Sequence, residues 1–105
     1  MIGTWVHVGI PGRVGPIPAA GGRFKTRDGD HWNLTVVDPG GLVTENFGGT
    51  YTLTVDEYIE TQRYGTEQWI QDNGKSFKFK VMVQGDTMTQ YGIDNPFTEV
   101  WKRVH

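Results

Sequence analysis

Apolar and polar residues alternate along short runs of this chain, and turns rich in glycine and proline separate the runs. Alternation with a period of two is the pattern of a β-strand that buries one face. Helical periodicity is nearly absent, so we expect a single antiparallel all-β domain over residues 1–105. The pattern predicts strands near residues 3–9, 22–27, 30–37, 42–47, 50–55, 58–64, 76–84, 87–92 and 97–104.

The predicted turns contain residues that tolerate a positive φ. They are Asp28-Gly29, Pro39-Gly40-Gly41, Gly48-Gly49, Asn73-Gly74 and Gly85-Asp86. Short turns favour pairing of consecutive strands, and an open meander would leave two edges able to pair with other chains. We therefore expect a small, closed, up-and-down β-barrel of about eight or nine strands. A β-sandwich is the alternative, and residues 10–22 provide its only long connection.

Two segments outside the predicted ladder are candidates to cover the barrel. Residues 10–22 hold three Pro and four Gly, and they form either a cover over one mouth or an ordinary surface excursion. We expect one helical turn over residues 66–72, with Thr66 as its N-cap. Trp69 and Ile70 then turn inward, and Trp69 serves as a cover or as a plug in the core.

Alternation also assigns the inward side chains. In the run at residues 77–83 the apolar positions point inward while Lys78 and Lys80 point to water. The same rule applies to the runs at residues 32–36 and 51–55. The inward set is Trp32, Leu34, Val36, Tyr51, Leu53, Val55, Phe77, Phe79, Val81 and Val83.

The strand at residues 58–64 places a carboxylate among these side chains. An even-numbered loop around Asp56-Glu57 pairs Leu53 with Tyr58 or Glu60, which puts Tyr58, Glu60, Gln62 and Tyr64 on the inner face. An odd loop or a bulge would instead select Ile59 and Thr61. A buried, unpaired carboxylate is costly, so an inward Glu60 needs partners, water or a proton and becomes a site candidate.

The positions of Glu45 and Gln90 depend on turn length. The turn at Pro39-Gly40 brings Glu45 inward, whereas a two-residue Gly48-Gly49 turn would set Asn46 level with Tyr51 unless a glycine bulge intervenes. An even loop at Gly85-Asp86 selects Met88 and Gln90 for the interior. An odd loop selects Thr89 and Tyr91.

Composition and charge narrow the classes of function. The net charge is −2 and the ten basic residues are scattered, which disfavours nucleic acid and anionic membrane surfaces as partners. No apolar stretch reaches the roughly 20 residues of a membrane span, so we expect a soluble chain. The composition favours no particular cellular compartment. The absence of Cys excludes thiolate sites.

Known catalytic and metal-binding motifs are not found in the sequence. His7, His31 and His105 lack the spacing of metal ligands, and no cofactor motif is found. His31 is expected to point outward, whereas His7 shares a face with Trp5 and could line the barrel.

Several motifs resemble those of small bacterial lipocalin-like domains of the calycin superfamily. They are Gly3-Thr4-Trp5, Gly49-Thr50-Tyr51-Thr52-Leu53, Tyr58-Ile59-Glu60, Phe77-Lys78-Phe79-Lys80-Val81, Gly85-Asp86 and the closing run at residues 99–104. The resemblance implies that Trp5 plugs one end of the barrel, with Lys102 or Arg103 across its ring, and that the segment after the first strand acts as a lid. Typical lipocalins are longer, so a smaller ligand or a cavity shared with a partner subunit is implied.

The leading hypothesis is a protein that binds a small, mostly apolar or aromatic molecule inside the barrel. Its predicted walls are Trp32, Tyr51, Leu53, Tyr58, Phe77 and Phe79, with Glu60, Gln62 and Gln90 orienting the ligand and with Glu45, Tyr64 and Trp69 as further contacts. The alternative is an isomerase or cyclase that uses Glu60 and Tyr58 for proton transfer. A third possibility is an interaction module that forms a homodimer.

Overall fold

The computed structural model describes residues 1–55 and 57–104, so Asp56 of the predicted even loop and the terminal His105 lie outside the described residues. Nine strands carry the fold. They are β1 (Gly3–Ile10), β2 (Arg13–Val14), β3 (Gly22–Arg27), β4 (His31–Val37), β5 (Val43–Leu53), β6 (Tyr58–Gly65), β7 (Ser76–Gln84), β8 (Thr87–Ile93) and β9 (Glu99–Arg103). A 3₁₀ helix, Glu67–Asp72, follows β6.

Eight of the strands close into an antiparallel barrel. Each strand from β3 to β9 pairs with the next along the chain, and β1 pairs with both β3 and β9. The short strand β2 is additional and pairs only with the end of β1. The predicted all-β barrel is therefore confirmed. Among the described residues no helix is long and apolar enough to cross a bilayer.

A cation–π contact reinforces the seam where the barrel closes. Trp5 of β1 lies directly opposite Arg103 of β9 and is fully buried. The Arg103 guanidinium lies 4.3 Å from the centre of the Trp5 ring. The predicted contact between Trp5 and a basic residue of the last strand is thus present, with Arg103 as the partner.

The core has two parts that lie on opposite faces of the sheet. The larger cluster fills the interior and includes Trp5, Trp32, Leu34, Phe47, Tyr51, Tyr58, Phe79, Met88 and Trp101. The smaller cluster joins Val6, Val8 and Val100, with Phe24 and Val104 packed against it. Since Val6 and Val8 alternate with Trp5 and His7, this smaller cluster lies on the outer face.

The predicted turn at Gly48-Gly49 is wrong, because β5 runs unbroken from Val43 to Leu53. The glycines serve close backbone approach instead. A Cβ on Gly49 would overlap the carbonyl oxygen of Thr61, and one on Gly48 would overlap that of Trp32 and the Tyr64 hydroxyl. The pairing of β5 with β6 shifts register between these two glycines, which marks a β-bulge.

The two segments considered as covers of the barrel, residues 10–22 and 66–72, take different positions in the structure. Residues 11–20 are exposed and contain the β1–β2 hairpin, as the surface-excursion alternative expects. The helical turn over residues 66–72 is present, and Trp69 packs on Phe47 with ring centroids 4.6 Å apart. The prediction that Ile70 turns inward is wrong, because Ile70 is 57% exposed. Thr66 occupies the N-cap position as predicted, but its hydroxyl accepts a hydrogen bond from the backbone N–H of Asn46 and makes no side-chain cap hydrogen bond to the helix.

Candidate functional site

Strand β6 carries Glu60 into the barrel, as the parity of its hairpin predicts. Four residues separate Leu53 from Tyr58, and these two residues pair, so Tyr51 lies opposite Glu60. Glu60 is 4% exposed and Gln62 is 2% exposed. An even connection therefore places both side chains inside, and the alternative with Ile59 and Thr61 inward is wrong.

Strand β3 contributes two cations that the sequence analysis missed. Lys25 lies opposite Leu34 and Arg27 lies opposite Trp32, both inward residues of β4. Lys25 is 2% exposed and Arg27 is 1% exposed. The usable signal was parity, because four residues separate Arg27 from Trp32 and an even connection keeps them on one face. Alternation alone pointed the other way, since Phe24 is the large apolar residue of this strand.

The carboxylate of Glu60 is the centre of a buried polar network. Its Oε2 accepts a hydrogen bond from the Tyr58 hydroxyl at 2.6 Å, forms an ion pair with Lys25 Nζ, and lies 3.7 Å from Arg27 Nη2. Arg27 in turn donates to the Tyr58 oxygen at 2.9 Å and to Gln90 Oε1 at 2.8 Å. Each buried charge therefore has partners, which is what makes its burial tolerable.

Aromatic rings surround the ammonium of Lys25. Its Nζ lies 5.1 Å from the ring centre of Trp32, 5.6 Å from that of Trp101 and 5.9 Å from that of Phe79. Burial lowers the pKa of Lys25, and the neighbouring Glu60 carboxylate opposes this by favouring the charged amine. Burial also raises the pKa of Tyr58 well above its usual range, with the negative charge of Glu60 acting in the same direction.

A cavity of about 60 Å³, partly open to solvent, adjoins this network. Seven of the predicted site residues line it: Trp32, Glu60, Gln62, Trp69, Phe77, Phe79 and Gln90. The even alternative for the β7–β8 loop holds, because Gln84 pairs with Thr87 across two residues and Gln90 points inward. The sequence analysis missed the lining residues Arg23, Lys25, Asp72, Phe97 and Glu99.

Three other predicted site residues support the cavity from positions outside its lining. Tyr51 and Tyr58 are buried with ring centroids 5.3 Å apart, and the Tyr51 oxygen accepts a hydrogen bond from the Gly29 amide. Glu45 is half-buried and accepts a 2.5 Å hydrogen bond from Trp69 Nε1. Together with Gln62, whose Nε2 donates to the Trp69 carbonyl at 2.6 Å, Glu45 holds the 3₁₀ helix against the barrel.

The predictions of Leu53 and Tyr64 as interior residues are wrong. Leu53 shares the inner face with Tyr51 but lies at the end of β5, where it is 53% exposed. Tyr64 is 45% exposed because Gln62 and Tyr64 pair with the adjacent residues Gly49 and Gly48. The extra residue, Arg63, reverses the parity, so Tyr64 points outward and accepts a hydrogen bond from Asn33.

Two valines assigned to the interior also lie elsewhere. Val55 is 100% exposed beyond the end of β5, and Val83 is 44% exposed near the end of β7. Both lie where a strand runs past the part of the barrel that other elements cover. Alternation assigns a face, but it does not tell how far along a strand the interior extends.

The histidines occupy two different environments. His7 lines the interior beside Trp101, with ring centroids 5.2 Å apart, and its Nε2 lies 3.9 Å from Glu99 Oε2. His31 is exposed, as predicted, and lies with Asp28 and Asp30 so that their ligand atoms are within 4.8 Å of one another. Asp28 Oδ1 accepts hydrogen bonds from the backbone of Asp30 and His31, so this cluster stabilises the β3–β4 turn.

Comparison with protein-family models and with curated proteins finds no match for this chain. Solved structures do match. An uncharacterized protein from Bacteroides eggerthii is similar with a TM-score of 0.68 and 17% identity, covering 97% of this chain and 98% of that one. A lipocalin-like protein from Bacteroides uniformis is similar with a TM-score of 0.64 and 13% identity, covering 97% and 96% of the two chains. These likenesses and the closed eight-stranded barrel show that this chain has a lipocalin-like fold.

Proposed function

We propose that the barrel binds one small molecule in the cavity between β3, β4, β6 and β7. The observation that carries the proposal is a partly open cavity whose walls are aromatic and which also presents Lys25, Glu60, Gln62 and Gln90. Apolar walls with a few convergent polar groups are typical of small-molecule sites, where burial supplies affinity and the polar groups fix orientation. The lipocalin-like fold agrees with such a role.

The size of the cavity limits the ligand. Sites for drug-sized molecules measure about 300–1,000 Å³, whereas this cavity holds about 60 Å³. The enclosed part of the ligand therefore comprises a few heavy atoms, and any longer portion extends toward solvent through the open side of the cavity. This agrees with the smaller ligand that the short chain implies.

Tryptophan fluorescence tests the proposal directly, because Trp32 and Trp69 both line the cavity. Slim compounds of about five to nine heavy atoms should change the emission saturably at millimolar concentration or below. Leu34→Phe adds volume at a lining position and should abolish the response, whereas Leu42→Phe, on a residue 66% exposed, should preserve it. Absence of any saturable response, or binding unaffected by Leu34→Phe in a folded variant, would refute the proposal.

A second candidate function is proton transfer, and the 2.6 Å hydrogen bond between Tyr58 and Glu60 favours it. A carboxylate at the cavity wall that accepts a hydrogen bond from a phenol is able to move a proton to or from a bound molecule. We expect such an enzyme to exchange an acidic C–H of a bound ligand with deuterium from D₂O. Glu60→Gln and Tyr58→Phe should then abolish the exchange while the ligand still binds, and exchange retained in both variants would remove this candidate.

A further inference from the structure

The barrel interior contains one more buried positive charge than negative charge. Lys25, Arg27 and Glu60 are each 4% exposed or less, and they comprise two cations and one anion. The other charged residues at the cavity have their own partners. Arg23 lies 3.7 Å from Glu99, and Asp72 lies 3.0 Å from Lys75. The charge of Glu99 also acts on Lys25, but Glu99 lies beside Arg23 and His7. Among the described residues, the network of Lys25, Arg27 and Glu60 therefore keeps one more cation than anion.

Hydrogen-bond donors are also in excess in this part of the interior. Lys25 Nζ carries three N–H groups and meets one carboxylate oxygen. Gln90 accepts from Arg27 through Oε1, which leaves its amide nitrogen as the polar group it offers to the cavity. Trp101 Nε1 is buried without a hydrogen-bond partner among the described residues, and its ring adjoins Lys25. Lys25 and Gln90 line the cavity, so a ligand that accepts hydrogen bonds from them would recover free energy that unsatisfied donors cost.

We infer that the ligand carries a negatively charged acceptor group, such as a carboxylate, which lies against Lys25 Nζ and the Gln90 amide while its apolar part lies toward Phe77 and Phe97. This inference rests on the proposed binding function and names the chemistry of its ligand. The anion neutralises the surplus charge and accepts hydrogen bonds that the protein leaves unmade. Charge-assisted hydrogen bonds of this kind are about twice as strong as neutral ones. The ligand is thus a small amphiphilic anion rather than a wholly apolar molecule.

The test compares hexanoate with 1-hexanol, which share a slim chain and differ in the charge of the head group. Binding is measured by tryptophan fluorescence and calorimetry at pH 6.5. Hexanoate should bind at least about tenfold more tightly, the equivalent of one charge-assisted hydrogen bond. Glu60→Gln removes the carboxylate of the network and should strengthen hexanoate binding further, so that the ratio of the two affinities rises.

Removing the cation should have the opposite effect. Lys25→Met should reduce the preference for hexanoate to about twofold or less, because neutral and charged head groups then meet similar surroundings. Arg27 still faces the Glu60 carboxylate in this variant, at 3.7 Å, and Lys25→Gln is measured beside it as a second neutral replacement. Lys78→Met, on an outward residue of β7, is the matched control and should leave the preference intact.

The outcomes separate this inference from the proposed function. If 1-hexanol binds as tightly as hexanoate, or if the preference survives in both Lys25 variants, the inference fails and cavity binding stands. A weaker affinity of Glu60→Gln for hexanoate would also overturn it. If neither compound produces a saturable signal, the proposed binding function fails with it.

Discussion

At the scale of single residues, the ion pair between Lys25 and Glu60 depends on the whole polar network. Both side chains are removed from water, and Tyr58 and Arg27 also contact Glu60. The attraction within such a pair is offset by the cost of dehydrating two ions, so its net contribution to stability is small. Loss of Lys25 leaves Glu60 with Arg27 and the Tyr58 hydroxyl, whereas loss of Glu60 leaves two buried cations without a carboxylate.

We therefore expect Glu60→Gln to lower the free energy of unfolding by about 3–5 kcal/mol, because Lys25 and Arg27 then stay buried without a carboxylate. The double variant Lys25→Met/Glu60→Gln should lose less, because only Arg27 then lacks its carboxylate. Urea unfolding followed by circular dichroism measures both values. A double variant as unstable as the sum of the two single variants would show that the pair is not coupled.

His7 makes stability depend on pH. Burial lowers the pKa of His7 below its ordinary value of 6.5, while Glu99 partly opposes this and Arg23 reinforces it. The unfolded chain therefore takes up a proton at this residue more readily than the folded chain does, and acidification through pH 6.5 favours unfolding. The direction is a loss of stability as the pH falls.

Replacing His7 with Gln should remove this contribution. The melting temperature of His7→Gln should fall less between pH 7.5 and pH 5.5 than that of the unchanged protein. His31→Gln is the matched control, because the His31 side chain is 63% exposed and lies beside Asp28 and Asp30, and this variant should not reduce the loss of melting temperature. Equal losses in the His7→Gln variant and the unchanged protein would contradict the assignment.

At the scale of elements, the even or odd number of residues in each connection decided which strand faces could be predicted. It located Glu60 and Gln62 correctly, because the connection of four residues preserves the face from β5 to β6. For Gln90 it left two alternatives, and the structure has the even one. The same rule applied to β3 would have found Lys25 and Arg27. Tyr64 was beyond reach, because the bulge at Arg63 depends on how closely Gly48 and Gly49 let β6 approach. The Gly48-Gly49 pair indicated a possible bulge, but it did not indicate that β6 would carry the extra residue.

The close approach at Gly49 gives a prediction for this pair of strands. A methyl group there would overlap the Thr61 carbonyl, so Gly49→Ala forces β6 to move and should cost about 1–3 kcal/mol. Gly15→Ala is the control, since a Cβ at Gly15 would lie 3.7 Å from the Val8 oxygen, an ordinary contact. Thermal unfolding compares the two variants. A neutral Gly49→Ala would show that the strands separate easily at the bulge.

At the scale of the whole molecule, closure distinguishes essential strands from dispensable ones. Strand β9 pairs with both β1 and β8 and supplies the buried Trp101, whereas β2 pairs only with Gly9 and Ile10 of β1. Exposed edges recruit other strands, so opening the barrel has consequences for solubility as well as for stability.

Removal of residues 99–104 should therefore leave a chain that aggregates or stays unfolded. Replacement of residues 11–20 by a short Gly-Ser linker should preserve the barrel, because those residues are exposed and none lines the cavity. Size-exclusion chromatography and circular dichroism distinguish the two outcomes. Loss of the fold on replacing residues 11–20 would show that this segment contributes to the core after all.

The reversed face of β3 has a consequence for the order of folding. In the folded protein Phe24 packs outside the barrel against Val6 and Val100. These two valines come from opposite ends of the chain. The apolar side chain of Phe24 favours the interior, whereas the final structure places it outside, where β9 must pair before its contacts are complete. We therefore predict that Phe24 makes its contacts after the rate-limiting step of folding. Phe24→Leu should then speed unfolding and leave the folding rate nearly unchanged in stopped-flow experiments. A folding rate that falls in proportion to the lost stability would show instead that β3 is already structured in the transition state of folding.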